Sequence, residues 1–270
     1  MNNLSEQKII VHCDFSESME APILHGLQIA RIFKKELCLF HPLGSGGKSK
    51  KEAQIKLGQI IRKIKEKNIK IPISSLTQKG DLKDTIDRIA EQYDGIMVIL
   101  SPDRLKKKLE ALQKSQIPFL FVRETNAQSL KYGKIMLPVD YRRTMKNTAL
   151  WASYFGRFNG ASVEILYAKE KNKENSDIIC KNLKFIDDLL DKMSMKKKLS
   201  EATAGSFRLP FEALARCKQE NANLLIIPAS QNISLPDLVF GLPESRILKK
   251  SGTLPVLCIN PNRDMYILCD

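Results

Sequence analysis

The sequence predicts an α/β protein made of two tandem, doubly wound sandwiches, each built around a five-stranded parallel sheet. Three observations carry this expectation. The chain repeats itself: Lys8-Ile-Ile-Val-His-Cys-Asp14 returns as Lys134-Ile-Met-Leu-Pro-Val-Asp140, and Ile117-Pro-Phe-Leu-Phe-Val122 returns as Leu254-Pro-Val-Leu-Cys-Ile259. A unit this long is a domain, not a solenoid repeat, whose period is about 20 to 50 residues. Short continuous apolar runs alternate with segments of helical period, the pattern of parallel strands covered on both faces. Each copy's opening run ends on an aspartate, which puts Asp14 and Asp140 beyond the carboxyl end of a first strand, where such folds bind ligands.

The elements follow in the same order in both copies. In the first, a strand at 9–13 leads to a helix at 18–35 with Ile23, Leu24, Leu27, Ala30 and Phe33 on one face. A strand at 37–40, a loop at 44–49 and a helix marked by Ala53, Leu57, Ile60, Ile61 and Ile64 come next. Pro72 confines the strand at 71–76 to an edge, since it has no N–H to give a ladder. Asp81 is placed to cap a third helix carrying Leu82, Ile86, Ile89, Ala90 and Tyr93. A buried strand at 96–100, a helix through Leu105, Leu109 and Leu112, and a last strand at 118–122 complete the copy. The second copy has strands at 135–139, 163–167, 199–203, 224–227 and 256–259, with a long second helix through Ile178, Ile179, Leu183, Ile186, Leu190 and Met193. The domains expected are 1–128 and 132–262, joined by a polar linker and followed by an apolar tail at 263–270.

Composition narrows the function. In 270 residues the hydrophobic content is 43%, enough for two cores, and no run approaches the roughly 18 apolar residues of a membrane span. The amino terminus lacks the basic and apolar blocks of a signal peptide, so the expected location is cytoplasmic. Six cysteines without CxxC spacing read as free thiols, mostly buried. The net charge of +14 is shared evenly between the copies, whereas a dedicated nucleic-acid domain concentrates it. Lys106-Lys-Lys108 and Lys196-Lys-Lys198 read as solvated ends of elements.

In order and spacing the chain resembles a tandem universal stress protein. The residues that carry the resemblance are Ile135-Met-Leu-Pro-Val-Asp140, Leu224-Leu-Ile-Ile-Pro-Ala-Ser230, and Gly241-Leu-Pro-Glu-Ser-Arg-Ile-Leu-Lys-Lys250 followed by Leu254-Pro-Val-Leu257. It covers nearly the whole chain and implies an adenine nucleotide alpha hydrolase-like fold. Nucleotide-binding members resemble one another in a Gly-x-x-Gly-x9-Gly-Ser/Thr loop after the fourth strand, whose backbone N–H groups cradle phosphates. Laid on the second copy, the glycine positions fall on Pro228, Gln231 and Gly241, and the hydroxyl position on Leu242. The motif is largely erased. In the first copy the stretch from Ser101 to Pro118 is shorter than its counterpart from Ser230 to Pro255, which leaves no room for the loop. If nucleotide binds at all, the resemblance assigns it to Asp140, Ser230 and Gly241. Glu244, near the start of the last helix, would repel phosphate.

Other constellations fail on spacing or direction. Gly44-Ser-Gly-Gly-Lys-Ser49 lacks the first glycine of a P-loop, because Pro42 stands there. His12, Cys13, Asp14 and His41 are candidate metal ligands, with His12 and Asp14 on one side of the first strand and His41 at the end of its neighbour, but His12 and Cys13 point to opposite faces, and no metal site is expected. All three histidines, His12, His25 and His41, lie in the first copy, so the second cannot host a histidine-based triad.

The function expected is a universal stress protein-like binding or regulatory module of the stress response, without ATP as a cofactor and without strong catalysis. One alternative is a nucleotide-binding or slowly ATP-hydrolysing member using the degenerate second loop. Another is a basic adaptor for nucleic acid or an acidic protein. The partners implied are an intramolecular pseudo-dimer of the two copies, a homodimer, and an unidentified protein or small molecule, with no membrane. The pseudo-dimer follows from the family's habit of pairing last strands, which here would cover two apolar edges. Expressed separately, the halves should associate or aggregate; two soluble monomers that ignore each other would contradict this.

Overall fold

A computed structural model describes residues 7–44, 49–142, 144–230 and 242–260. The expected tail at 263–270, Gln231, Gly241 and residues 45–48 lie outside them. The chain divides into two compact units, the first ending at Glu124 and the second beginning at Thr125.

The first unit runs β1 (Lys8–His12), a short 3-10 turn (Glu17–Met19), α1 (Glu20–Phe33), β2 (Glu36–Leu43), α2 (Lys50–Lys65), β3 (Ile73–Lys79), α3 (Leu82–Tyr93), β4 (Gly95–Leu100), α4 (Leu105–Lys114) and β5 (Phe119–Phe121). Its strand order is β3-β2-β1-β4-β5, all pairs parallel. The second runs β6 (Lys134–Val139), α5 (Met145–Asn159), β7 (Ser162–Tyr167), α6 (Lys173–Lys192), β8 (Lys197–Glu201), α7 (Leu209–Gln219), β9 (Leu224–Pro228), α8 (Pro243–Lys250) and β10 (Val256–Ile259). Its order, β8-β7-β6-β9-β10, is the same topology. In each unit the first strand is flanked by the second and the fourth, so the chain reverses direction across the sheet beside it. That reversal opens a crevice at the carboxyl end of β1 and of β6.

The central strands are fully buried because helices cover both faces. Ile9, Ile10, Val11 and Val98–Leu100 in the first unit, and Ile135–Leu137 and Leu224–Ile226 in the second, are without solvent exposure. Each such side chain contributes about 1.5–3 kcal/mol of burial. The helices bury one stripe: α2 covers only Ala53, Leu57 and Ile64 while its lysines face water. Its start is set by a capping box, in which Ser49 Oγ accepts from the Glu52 amide and the Ser49 amide donates to Glu52 Oε2, both at 3.2 Å. Ser49, the last residue of the glycine-rich loop, is thereby committed to holding a helix.

Four local expectations are adjusted. β3 starts at Ile73, not 71; Pro72 gives only its carbonyl, to the Leu37 amide at 2.9 Å, and β3 is the edge of its unit's order, as the proline requires. β8 starts at Lys197, so Lys197 and Lys198 lie within an edge strand beside an exposed Leu199, where charge discourages further pairing. Asp81 sits at the N-cap of α3 but its side chain makes no cap hydrogen bond. Residues 125–132 belong to the second unit: Asn126 Oδ1 accepts from the amides of Gln128 and Ser129, and Tyr132, fully buried, stacks on Phe155 at 5.6 Å between centroids. A polar stretch read as linker is thus held by a turn and an aromatic anchor.

Gly26 lets α1 settle onto β1. A Cβ there would lie 2.4 Å from Val11 Cγ2 and 3.0 Å from Leu37 Cδ1. Gly26→Ala should therefore destabilise the first unit by about 1–3 kcal/mol through overpacking, despite alanine's better helix propensity. Urea unfolding measures this; a neutral or stabilised variant would show that the helix can lift away at no cost.

Candidate functional site

The repeated aspartate performs the same local task in both units and finds its cation in different places. Asp14 Oδ1 accepts from the Ser16 amide at 3.1 Å and from Ser16 Oγ at 2.6 Å. Asp140 Oδ1 accepts from the Arg142 amide at 2.8 Å. Each carboxylate ties the turn that carries the chain from first strand to first helix.

In the first unit the cation comes from α4. Lys108, 4% exposed, reaches Asp14 Oδ2 at 3.6 Å and donates to the carbonyl and hydroxyl of Ser101 at 2.9 and 3.1 Å. Burial lowers its pKa, against the pull of Asp14 and Asp103. Burial also works to raise Asp14, but the Ser16 hydroxyl and amide, then Lys108 and His12, outweigh it and hold the carboxyl below its ordinary range. A cavity of about 370 Å³ remains open here, lined by His12, Asp14, His41, Asp81, Arg104, Lys107 and Lys108. His41 Nδ1 lies 2.6 Å from the Cys13 carbonyl, which accepts only from an N–H, so that nitrogen carries the proton. His12 is 8% exposed, and its Nδ1 is buried with no hydrogen-bond partner among the described residues. Burial, then the Lys108 ammonium, lower His12 from 6.5 to about 3; Asp14 pulls the other way and His41 adds to the lowering. The crevice therefore offers a neutral imidazole at its floor and cationic side chains along α4.

The second crevice pairs its aspartate differently. Asp140, 1% exposed, is gripped by its own turn: Arg142 Nε donates to Oδ2 at 2.8 Å and Nη2 at 2.5 Å, a two-pronged pair. Asn182 on α6 fastens this loop by donating to the carbonyls of Asp140 and Arg142, at 2.8 and 3.1 Å. Opposite, the Ser230 amide donates to Glu244 Oε1. Glu244 is 2% exposed, and burial raises its pKa, against hydrogen bonds from its own amide and from Ser230, and the charge of Arg142. A carboxylate of the protein itself thus takes the backbone N–H at the end of β9.

Of the residues assigned to nucleotide from the sequence, Asp140 and Ser230 are brought to this crevice, each with an internal partner, and Gly241 lies outside the described residues. Lys108 was missed. Its lysine run reads as solvated, yet Lys108 stands four residues before Leu112 and shares its buried face with Leu109. A lysine on the apolar arc of a helix needs a paired carboxylate, and that was the available signal. Among the described residues no three His, Cys, Asp or Glu side chains converge as metal ligands, and no helix is long and apolar enough to cross a membrane. Cys13, Cys38, Cys217 and Cys258 are buried free thiols; burial raises Cys38 to about 11 and Cys217 to about 12, which makes them poor nucleophiles.

No protein-family model and no curated protein matches the chain. Solved structures do. A universal stress protein from Archaeoglobus fulgidus DSM 4304 superposes with a TM-score of 0.72 at 14% identity, over 94% of this chain and 96% of that one. One described as a putative universal stress protein, from Pseudomonas aeruginosa UCBPP-PA14, superposes with a TM-score of 0.60 at 14% identity, over 95% and 94%. A functionally unknown protein from Pseudomonas aeruginosa PAO1 gives 0.58 at 14% identity, over 95% and 93%. At this identity the likeness establishes the fold.

Acid should weaken the fold through His12. The unfolded chain protonates this histidine near 6.5, whereas the folded chain keeps it neutral down to about 3. Its contribution is complete above pH 6.5 and is lost as pH falls from there toward 3, by at most one proton, about 1.4 kcal/mol per pH unit. His25, lowered to about 4 by burial, adds to the same slope in the wild type and in a His12 variant alike. Urea unfolding of the wild type and His12→Gln across this window should give a shallower pH dependence for the variant. Parallel curves would contradict a neutral buried His12.

Proposed function

We propose that this chain, a tandem universal stress protein in fold, is a small-molecule-responsive regulatory module of the stress response. Its ligand enters the first unit's crevice, and the second crevice is closed by the protein's own side chains. The observation that carries this is the contrast in what occupies the two crevices. Lys108 neutralises Asp14 from beneath and leaves a cavity of about 370 Å³, within the range of small-molecule sites. Arg142 and Glu244 engage Asp140 and Ser230 where a ligand would lie. In this reading the second unit is a structural partner of the first, and the cytoplasm is its compartment.

ATP is not the ligand in this reading. The phosphate-cradling glycines are replaced at Pro228 and Gln231, and Glu244 brings a carboxylate to the position a phosphate would need. Charged hydrogen bonds to phosphate contribute about 1.5–3 kcal/mol each. Losing two weakens binding by roughly two to four orders of magnitude.

Denaturing freshly purified protein and identifying released compounds by mass spectrometry tests the module directly. A small molecule should be recovered from the wild type, and much less from a variant with Arg104→Ala and Lys107→Ala, two exposed residues at the cavity rim. Calorimetry with ATP should show no binding of micromolar or tighter affinity. Micromolar binding abolished by Asp140→Ala would instead establish the second crevice as a nucleotide site.

A further inference from the structure

The second unit's sheet ends on an open edge whose backbone is laid out to pair with itself. β8 holds β7 on one side, and among the described residues no strand pairs with the other. In a parallel ladder successive residues turn their backbone groups to alternate sides. The Lys196 carbonyl accepts from the Val163 amide at 2.9 Å, and the Ala202 amide donates to the Tyr167 carbonyl at 2.8 Å. Lys196 and Ala202 thus face β7, as do Lys198 and Ser200 between them, which leaves Lys197, Leu199 and Glu201 facing outward. Of these outward groups the Glu201 carbonyl alone has a partner among the described residues, Arg216 Nη2 at 3.3 Å. A carbonyl can accept a second bond.

The side chains suit the same partner. Lys197, Leu199 and Glu201 share one face, by the strand period of two. Lysines guard an edge against strands at large, but both of these are engaged within the unit. Lys197 pairs with Asp187 and, at 2.8 Å, with Asp191, and Lys198 pairs with Glu220 at 3.0 Å. Leu199 is 55% exposed. Glu201 is exposed, and its carboxylate forms no ion pair among the described residues.

Set antiparallel on a second copy, about a two-fold axis at Leu199, the strand puts Leu199 opposite Leu199 and Lys197 opposite Glu201. These are the outward residues, so each pair exchanges two N–H···O bonds. One register therefore satisfies the free backbone groups, joins the exposed leucines and brings opposite charges together twice. β3, the corresponding edge of the first unit, has Lys79 as its only charge and offers no such match. We propose that β8 is the interface of a homodimer, formed by antiparallel pairing with β8 of a second copy about Leu199.

A five-residue ribbon is a small contact, so the full chain should show a monomer–dimer equilibrium by analytical ultracentrifugation between roughly 10 µM and 1 mM. Leu199→Pro removes an outward N–H without touching the ladder to β7, which edge strands tolerate, and should leave a monomer. Glu201→Lys sets like charges opposite each other twice and should weaken dimerisation about tenfold. Leu199→Cys reads the register itself. A hydrogen-bonded antiparallel pair spaces its Cα atoms about 5.5 Å apart, within the roughly 4.4–6.8 Å that a disulfide spans. Mild oxidation should link two Leu199→Cys chains through position 199, as peptide mapping by mass spectrometry would show. Ser200→Cys, which lies opposite Lys198, should link to itself far less. A wild type still monomeric at about 1 mM, an assembly larger than a dimer, a dimer indifferent to Leu199→Pro, or equal cross-linking of the two cysteine variants would overturn the proposal.

Discussion

The two crevices depend on one demand: a carboxylate at the end of a central parallel strand must be satisfied. The aspartate is placed there by topology. A first strand flanked by the second and the fourth ends where the chain reverses, and the turn into the first helix needs an acceptor for its amide. Asp14 and Asp140 each give one oxygen to that turn. The remaining oxygen needs a cation, and the units obtain it differently. Lys108 arrives from α4, beneath the site, and leaves space above Asp14. Arg142 folds back from two residues along and pairs with the carboxylate from its own turn.

The rest of each crevice follows from that choice. Lys108 also grips Ser101, where β4 ends, so one buried ammonium joins Asp14 after β1 to the end of β4. Burial, and after it the Lys108 charge, lowers the pKa of His12 and keeps it neutral. In the second unit Arg142 leaves Glu244 a favourable neighbour, and Glu244 takes the Ser230 amide.

The fold was legible because its signals are long and redundant. Repeated apolar runs, the two aspartates and the helical periods all point to one topology, and Pro72 correctly marks an edge strand. The misplaced bounds of β3 and β8 occur at sheet edges, where apolar pattern fades and pairing alone sets the ends. The site was only half legible. The aspartates are visible as a repeat, but Lys108 is hidden in a lysine run and is distinguished from Lys106 and Lys107 only by its face of α4. Glu244 was visible near a helix start, yet nothing in the sequence pairs it with Ser230, separated from it by 14 positions. Residues 125–132 looked like a linker because polar composition does not disclose an Asx turn or the burial of Tyr132.

We propose that the first crevice is open to a ligand and the second is closed by its own side chains. Soaking crystals of the full chain with a mixture of small polar fragments, and comparing density at the two places, measures this directly. Fragments should appear beside His12, Asp14 and Arg104, with Arg142 on Asp140 and Glu244 on Ser230 undisturbed. Fragments seated against Asp140 and Ser230, with the first crevice empty, would contradict it.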